Sequence, residues 1–112
     1  RDYLDRPLYR DEGSLSRVLL YQRKETLRKK AALALYGDRI VIDEGGADEL
    51  DLPFSELSVV TVLGRNKLNL YHGETIYQIK GDKRFNALKY MHIYMRHKNI
   101  SRGDFDGKFL GL

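Results

Sequence analysis

The stretch that decides the fold is Thr75–Met95, which reads TIYQIKGDKRFNALKYMHIYM. Up to Lys80 the pattern is that of a β-strand, whereas beyond Gly81 apolar residues recur at steps of three and four, the period of an α-helix. The second pattern predicts an amphipathic helix over residues 82–98. Its apolar stripe comprises Phe85, Leu88, Met91, His92 and Met95.

Both ends of the predicted helix carry matching signals. Asp82 is the expected N-cap, because its carboxylate can accept hydrogen bonds from the free amides of the first turn. Arg96, His97 and Lys98 lie in the last turn, where cations interact favourably with the helix dipole. The helix must bury its stripe against another element, and the sheet that precedes it is the available partner.

Runs of β-forming residues and turn signals fill the chain before Gly81. Gly37-Asp38 is a two-residue hairpin signal. Pro53 cannot donate to a ladder, so its strand is expected at a sheet edge or to end there. The pattern also places Leu57, Val59 and Thr61 on one face of their strand. The predicted strands span 17–21, 27–36, 39–43, 50–54, 57–63, 68–71 and 75–80.

These elements predict a mainly β fold with one C-terminal α-helix. Seven short antiparallel strands would form a bent barrel or sandwich that the helix closes. The expected division is a connector over 1–15, one domain over 16–98 and a C-terminal tail over 99–112. The chain begins with Arg1 rather than Met, so we expect a module of a longer protein.

Composition narrows the class of protein. The 112 residues, of which 42% are hydrophobic, suffice for one modest core. The absence of Cys excludes disulfides and thiolate metal sites and favours a reducing cytoplasm. The longest apolar run, Ala31–Tyr36, is far shorter than the roughly 20 residues that cross a bilayer. We expect any membrane anchor to lie elsewhere in the parent protein, at the inner face of the membrane.

The order of elements resembles the pleckstrin-homology (PH) superfold, in particular its GRAM-like and bacterial variants. The resemblance covers about residues 16–98 and includes the local pattern Leu52–Leu57, Val59–Val62, Asn66–Leu68 and Tyr77–Phe85. It implies a non-catalytic targeting or regulatory domain.

A narrower resemblance concerns Lys80–Tyr90 and the terminal Phe109–Leu112. Both are similar to the C-terminal extension of bacterial lysophospholipid acyltransferases of the glycerol-phosphate family. That family uses a His with an Asp five positions later, and none of the three histidines has an Asp at that spacing. The resemblance therefore implies an accessory domain whose catalytic residues lie upstream.

A basic cluster between the first two predicted strands is the main candidate site. Cations on one loop attract an anionic leaflet at about 1 kcal/mol each, and PH domains that bind phosphorylated lipids carry basic residues at this place. Charged residues at strand ends also serve simply to keep a sheet edge soluble, so both interpretations stay open. The cluster comprises Arg23, Lys24, Arg28, Lys29 and Lys30.

A second candidate is an interaction face on the helix formed by Tyr90, Ile93 and Tyr94, which fall off the predicted apolar stripe. Tyr suits a surface that is apolar at one end and wet at the other. The partner would be another protein or the rest of the parent chain. Packing of these rings in the core is the alternative interpretation.

Other chemistries find little support in the sequence. His92 and His97 are five residues apart and do not share a helix face, so no metal site is predicted. The sequence has no nucleophile with a base and no Gly-rich phosphate loop, so we expect neither an enzyme nor a cofactor. Basic charge confined to one loop and the absence of known motifs argue against nucleic-acid binding.

The sequence thus predicts an accessory module that approaches anionic membrane lipid with its first hairpin. An intramolecular or protein–protein interaction module with no lipid binding is the alternative.

Overall fold

The computed structural model describes residues 6–19 and 23–102, with side chains to residue 99. Seven strands precede one α-helix, and a short 3-10 turn, Phe54–Glu56, joins the fourth strand to the fifth. The described residues do not include Leu20 and Tyr21 of the first predicted strand, or residues 103–112 of the predicted tail. The strands are β1 Tyr9–Val18, β2 Lys24–Leu35, β3 Arg39–Ile42, β4 Leu50–Pro53, β5 Leu57–Leu63, β6 Lys67–His72 and β7 Thr75–Gly81, and the helix α1 is Ala87–Arg102.

All seven strands belong to one antiparallel sheet with the order β4-β3-β2-β1-β7-β6-β5. Strands that are consecutive in the chain are neighbours in the sheet, except β4 and β5. In addition β7 pairs with β1, which closes the meander back on its first strand. The sheet curls into a half-barrel, and β4 and β5 are its two edges. The prediction of a PH-like fold with seven strands and a C-terminal helix is confirmed.

The core lies on the concave face of the curled sheet. Alternate residues of each strand point inward, so Leu33 and Leu35 of β2, Leu68 and Leu70 of β6 and Ile79 of β7 are almost fully buried. Burial of such side chains contributes about 1.5 to 3 kcal/mol each. The helix completes this core with its own aromatic residues.

The first hairpin differs from the prediction. β1 begins at Tyr9 and ends at Val18, and just beyond it the Leu19 N–H donates to the Arg23 carbonyl at 2.6 Å. The alternation was hidden because the inward positions at the start of β1 hold Asp11 and Gly13 rather than apolar residues. Two register shifts against β2 remove the simple period there as well.

A register shift also changes the faces of β5. Leu57 is fully buried, but a bulge between Leu57 and Val59 turns Val59 outward and Val60 inward. The prediction that Leu57, Val59 and Thr61 share one face is therefore wrong. The position of Pro53 is as predicted, since β4 is an edge strand that ends at this residue.

The helix begins later and ends later than predicted. Asn86 is its N-cap, because its side-chain oxygen accepts the Leu88 N–H at 3.1 Å. Asp82 instead accepts the Arg84 N–H at 2.8 Å within a preceding turn. α1 then continues through Arg102, into the predicted tail.

Gly81 sets the approach of the helix to the sheet. A Cβ atom at this position would lie 2.2 Å from the Cβ of Phe85. No side chain fits in that space, so the glycine lets Phe85 pack directly against the end of β7. This contact fixes the point at which α1 leaves the sheet.

Candidate functional site

The β1–β2 hairpin carries the densest positive charge of the chain. Residues 17–30 include six Lys or Arg side chains and one carboxylate, Glu25. Arg17 forms an ion pair with Glu25 across the two strands. An ion pair as exposed as this one contributes little to stability. The functional interest therefore lies in the other five cations.

Arg28 is held by the loop between β3 and β4. Its Nη1 lies 2.6 Å from Oδ2 of Asp43, and its Nη2 donates to the Asp48 carbonyl at 2.6 Å. Roughly three quarters of each of the Arg28 and Asp43 side chains is buried. We call this arrangement of Arg28, Asp43 and Asp48 the clasp.

Asp43 also binds the backbone of β2. Its Oδ1 accepts the Ala32 N–H at 2.9 Å, and its own N–H donates to the Ala32 carbonyl at 2.8 Å. The residue adopts a left-handed conformation with a φ of 54°, which Asp tolerates better than most side chains. The Ala32 amide first, and Arg28 second, lower the pKa of Asp43. The carboxylate therefore belongs to the scaffold that shapes the loop.

Lys24 points to the convex face of the sheet. Its Nζ donates to Oε1 of Gln78 at 2.7 Å, and Nε2 of Gln78 donates to Oδ1 of Asn69 at 2.9 Å. The ammonium group thus reaches across β1 to β7. This row of hydrogen bonds orders Lys24 but leaves its charge unpaired among the described residues.

The remaining three cations are exposed. Arg23 and Lys29 form no ion pair or side-chain hydrogen bond within residues 6–19 and 23–102. Lys30 lies 3.7 Å from Glu12, with both side chains mostly exposed, so the pair is weak. The predicted cluster thus divides into a structural residue, Arg28, an ordered one, Lys24, and three cations that remain available.

Exposed apolar residues accompany these cations. Leu19 is 41% exposed just after β1, and Leu27 is 37% exposed on β2. Apolar side chains next to unpaired cations suit a surface where a head-group region meets hydrocarbon.

The predicted interaction face on the helix is not a surface. Tyr90 is fully buried and Tyr94 is 6% exposed, and Ile93 packs partly against the same core. The buried stripe of the helix is Ala87, Tyr90 and Tyr94, whereas Leu88 and Met95, assigned to the core from the sequence, are exposed. The sheet accepts the longer tyrosine side chains because each hydroxyl finds a polar partner at the core boundary.

Two hydrogen bonds explain how these tyrosines are buried. The Tyr94 hydroxyl donates to the Leu57 carbonyl at 2.9 Å, and the Tyr90 hydroxyl donates to Oδ2 of Asp11 at 2.6 Å. Burial, and then Asp11, raise the pKa of Tyr90 far above its usual value. Lys89 completes the arrangement, with its Nζ 3.0 Å from Asp11. Sequence reasoning missed Asp11 because it lay in the predicted connector.

An open groove of about 430 Å³ lies between the start of β1 and the turn before α1. Charges of both signs line it above the Phe85 ring, so it has no clear preference for a cation or an anion. The lining residues are Arg10, Asp11, Glu12, Asp82, Arg84 and Phe85.

No group of three or more His, Cys, Asp or Glu side chains in the described residues is arranged to hold a metal ion. In the same part of the chain, no helix has the length and apolar character needed to cross a bilayer.

Comparison with known proteins identifies the fold. No protein-family model and no curated protein matches the chain. Among solved structures, the N-terminal PH domain of human ARAP2 matches with a TM-score of 0.54 and 18% sequence identity, over 78% of this chain and 76% of that one. At this identity the likeness shows the fold alone. The chain therefore has a PH-like fold, and the resemblance to acyltransferase extensions finds no support in these comparisons.

Proposed function

We propose that this chain is a non-catalytic PH-like interaction module that approaches anionic lipid surfaces with its β1–β2 hairpin. The observation that carries the proposal is the exposure of Arg23, Lys29 and Lys30 on one hairpin, with Leu19 and Leu27 beside them.

Electrostatics gives the proposed contact its strength and its salt dependence. Each cation near an anionic leaflet contributes about 1 kcal/mol, and the attraction falls off within a Debye length of roughly 8 to 10 Å. Three available cations provide weak, reversible association. Such a module would add membrane affinity to a parent protein rather than anchor it alone.

The clasp limits what the hairpin can bind. Arg28 is already paired with Asp43 and bonded to the Asp48 carbonyl, so it is not proposed as a lipid ligand. The loop between β3 and β4 is also acidic, and its Glu44, Asp48 and Glu49 are exposed close to the basic strand β2. We therefore propose general attraction to negative charge and no specific head group.

Sedimentation with phosphatidylcholine vesicles, with and without phosphatidylserine, tests the proposal. The double variant Arg23→Glu with Lys29→Glu removes two available cations without touching the clasp. We expect it to weaken binding to anionic vesicles by roughly 30-fold or more, since two cations contribute about 1 kcal/mol each. High salt should have the same effect.

The matched control is Lys83→Glu with Arg96→Glu, which makes the same change in net charge at two exposed positions away from the hairpin. It should bind vesicles more tightly than the hairpin variant. Equal loss in the two variants, or no binding by the unaltered chain, would rule out the hairpin as a lipid-binding surface. The intramolecular or protein-interaction module would then be the better proposal.

The parent protein is a separate proposal. We propose an accessory role in a membrane-associated protein of the cytoplasm, and an acyltransferase parent rests only on the resemblance of Lys80–Tyr90. A parent sequence with the His and Asp at acyltransferase spacing would support it. A parent without that pattern would remove the acyltransferase while leaving the hairpin proposal intact.

A further inference from the structure

Four apolar side chains form a continuous row on the convex face of the sheet. The register pairs Val59 of β5 with Tyr71 of β6, Tyr71 with Ile76 of β7, and Ile76 with Val18 of β1. Residues that pair across strands share a face of the sheet. We call these four residues the apolar row; it runs across the strands at right angles to them.

The apolar row lies on the side of the sheet away from the core. Its members alternate along their strands with inward residues such as Val60 and Leu70. Val59 is 44% exposed and the other three are partly exposed. None of the four belongs to the core cluster or to the residues packed against it. The row therefore has no packing role in the core of the described residues.

The adjacent row on this face is polar, with Thr61, Asn69, Gln78 and Ser16, whereas the row beyond it holds Leu63, which is 52% exposed, beside Lys67. Two residues along each strand, Asn69 and Gln78 are joined by a hydrogen bond that Lys24 extends, and Gln78 is only 7% exposed. Fixed side chains lose little conformational entropy when a partner binds. The convex face is thus preorganised beside its apolar row.

The charge on this face has one sign. Lys67 and Lys80 pair with each other on β6 and β7, two further residues along the strands, and Lys24 adds a third cation. Each of the four strands β5, β6, β7 and β1 contributes one residue to the apolar row and one to each of the two rows beyond it. None of these twelve residues carries a carboxylate, and Glu12 and Glu74 lie outside the rows, at their borders. A partner of complementary charge is acidic.

We propose that the convex face of β5, β6, β7 and β1 is a docking surface for an acidic amphipathic helix of a partner protein. Three strand intervals make the apolar row about 14 Å long, which two to three turns of a helix cover with residues at i, i+3, i+4 and i+7. Acidic residues on one flank of that helix would reach Lys67 and Lys80.

The geometry favours a helix over a bilayer on this face. Lys67 and Lys80 lie four residues along the strands from the apolar row, which is about 13 Å. A membrane that meets the hairpin end would leave these two lysines beyond a Debye length. A partner that lies flat on the sheet engages the row and both lysines together. This surface does not depend on the lipid proposal.

Chemical-shift mapping on the ¹⁵N-labelled full chain tests the proposal. The probe is a synthetic helical peptide of roughly three turns, about 11 residues, with Leu at i, i+3, i+4 and i+7 and Glu on one flank. We expect the shifts to cluster at Val18, Tyr71 and Ile76. Lys67→Glu with Lys80→Glu should weaken binding at least about tenfold, and Ile76→Ser should weaken it as well.

Two controls make the test decisive. A peptide with Lys in place of each Glu should bind much more weakly, and Leu88→Ser, at an exposed apolar position on α1, should leave binding unchanged. The charge-reversal variant keeps the proposal testable if Ile76→Ser unfolds. Shifts confined to the hairpin or to α1, equal binding of both peptides, or no binding overturns the proposal. So does the same shift pattern with phosphatidylserine vesicles, which would assign the face to a membrane.

Discussion

At the scale of the residue, the clasp shows how one side chain can be taken out of a functional set. Arg28 has the charge and the position expected of a lipid contact, yet Asp43 and the Asp48 carbonyl occupy its donors. Charge alone in a sequence cannot distinguish such a residue from Arg23 or Lys29. The distinction depends on hydrogen bonds that join residues 15 and 20 positions apart.

Asp43 gives the clasp a defined response to acid. Its folded-state pKa is lowered, so the unfolded chain binds more protons and the stabilisation is present above the unfolded pKa of about 3.9. It is lost as the pH falls through the folded-state value. At pH 7 we expect Asp43→Asn to lower the free energy of unfolding by about 1 to 2 kcal/mol, because the charged bond to Arg28 is lost.

Urea unfolding of both proteins at neutral and at strongly acidic pH measures this effect. The difference between the two proteins should shrink in acid, where Asp43 itself is protonated. A difference that stays constant with pH would mean that the carboxylate charge contributes nothing to the clasp.

At the scale of the element, the helix shows which local sequence signals determine where a helix begins and which do not. The change of period near Gly81 predicted a helix correctly, but two good caps were available. Asn86, rather than Asp82, accepts the first-turn amide, because Phe85 must pack against Gly81 before the helix can begin. The later cap thus coincides with the close packing of Phe85 on Gly81.

The position of the helix start can be tested with two substitutions. Asn86→Ala removes the N-cap and should cost about 1 kcal/mol of stability. Asp82→Ala changes an exposed turn and should cost clearly less stability than Asn86→Ala. Thermal or urea unfolding measures both, and a larger loss for Asp82→Ala would place the start of the helix at the predicted site instead.

At the scale of the whole molecule, β1 is the centre of the sheet. It pairs with β2 on one side and β7 on the other, and Asp11 at its start binds the helix through Tyr90. The strand that the sequence reveals least thus joins both halves of the fold. Contacts of this kind depend on residues far apart in sequence, such as Asp11 and Tyr90.

This central position predicts an order of hydrogen exchange. The amides of Leu15 and Ile79, which are paired within the buried centre of the sheet, should exchange most slowly. Those of the exposed segment 44–49 between β3 and β4 should exchange fastest among the described residues. Native-state exchange followed by NMR tests this order, and similar rates for both groups would contradict it.

The sequence predicted the strands and turns from Arg39 to Lys80 well, because these carry regular alternation and glycine turns. It misplaced the start of β1, where Asp11 and Gly13 stand at inward positions, and it began β2 three residues late. For the candidate site, it located the basic hairpin but not the division of its cations. It also chose the wrong helix face, because tyrosines can be buried when their hydroxyls find acceptors.

The two edge strands of the sheet, β4 and β5, differ in charge and in length. β4 stops at a proline and carries Asp51, whereas β5 is a seven-residue run, LSVVTVL, without any charge. An edge of the second kind accepts additional strands readily. In this chain the Tyr94 hydroxyl already occupies the Leu57 carbonyl at that edge. Detachment of the helix would therefore expose the β5 edge to edge-to-edge association with another chain, while the β4 edge stays protected. Mutations that loosen Tyr94 would favour self-assembly before they cause complete unfolding.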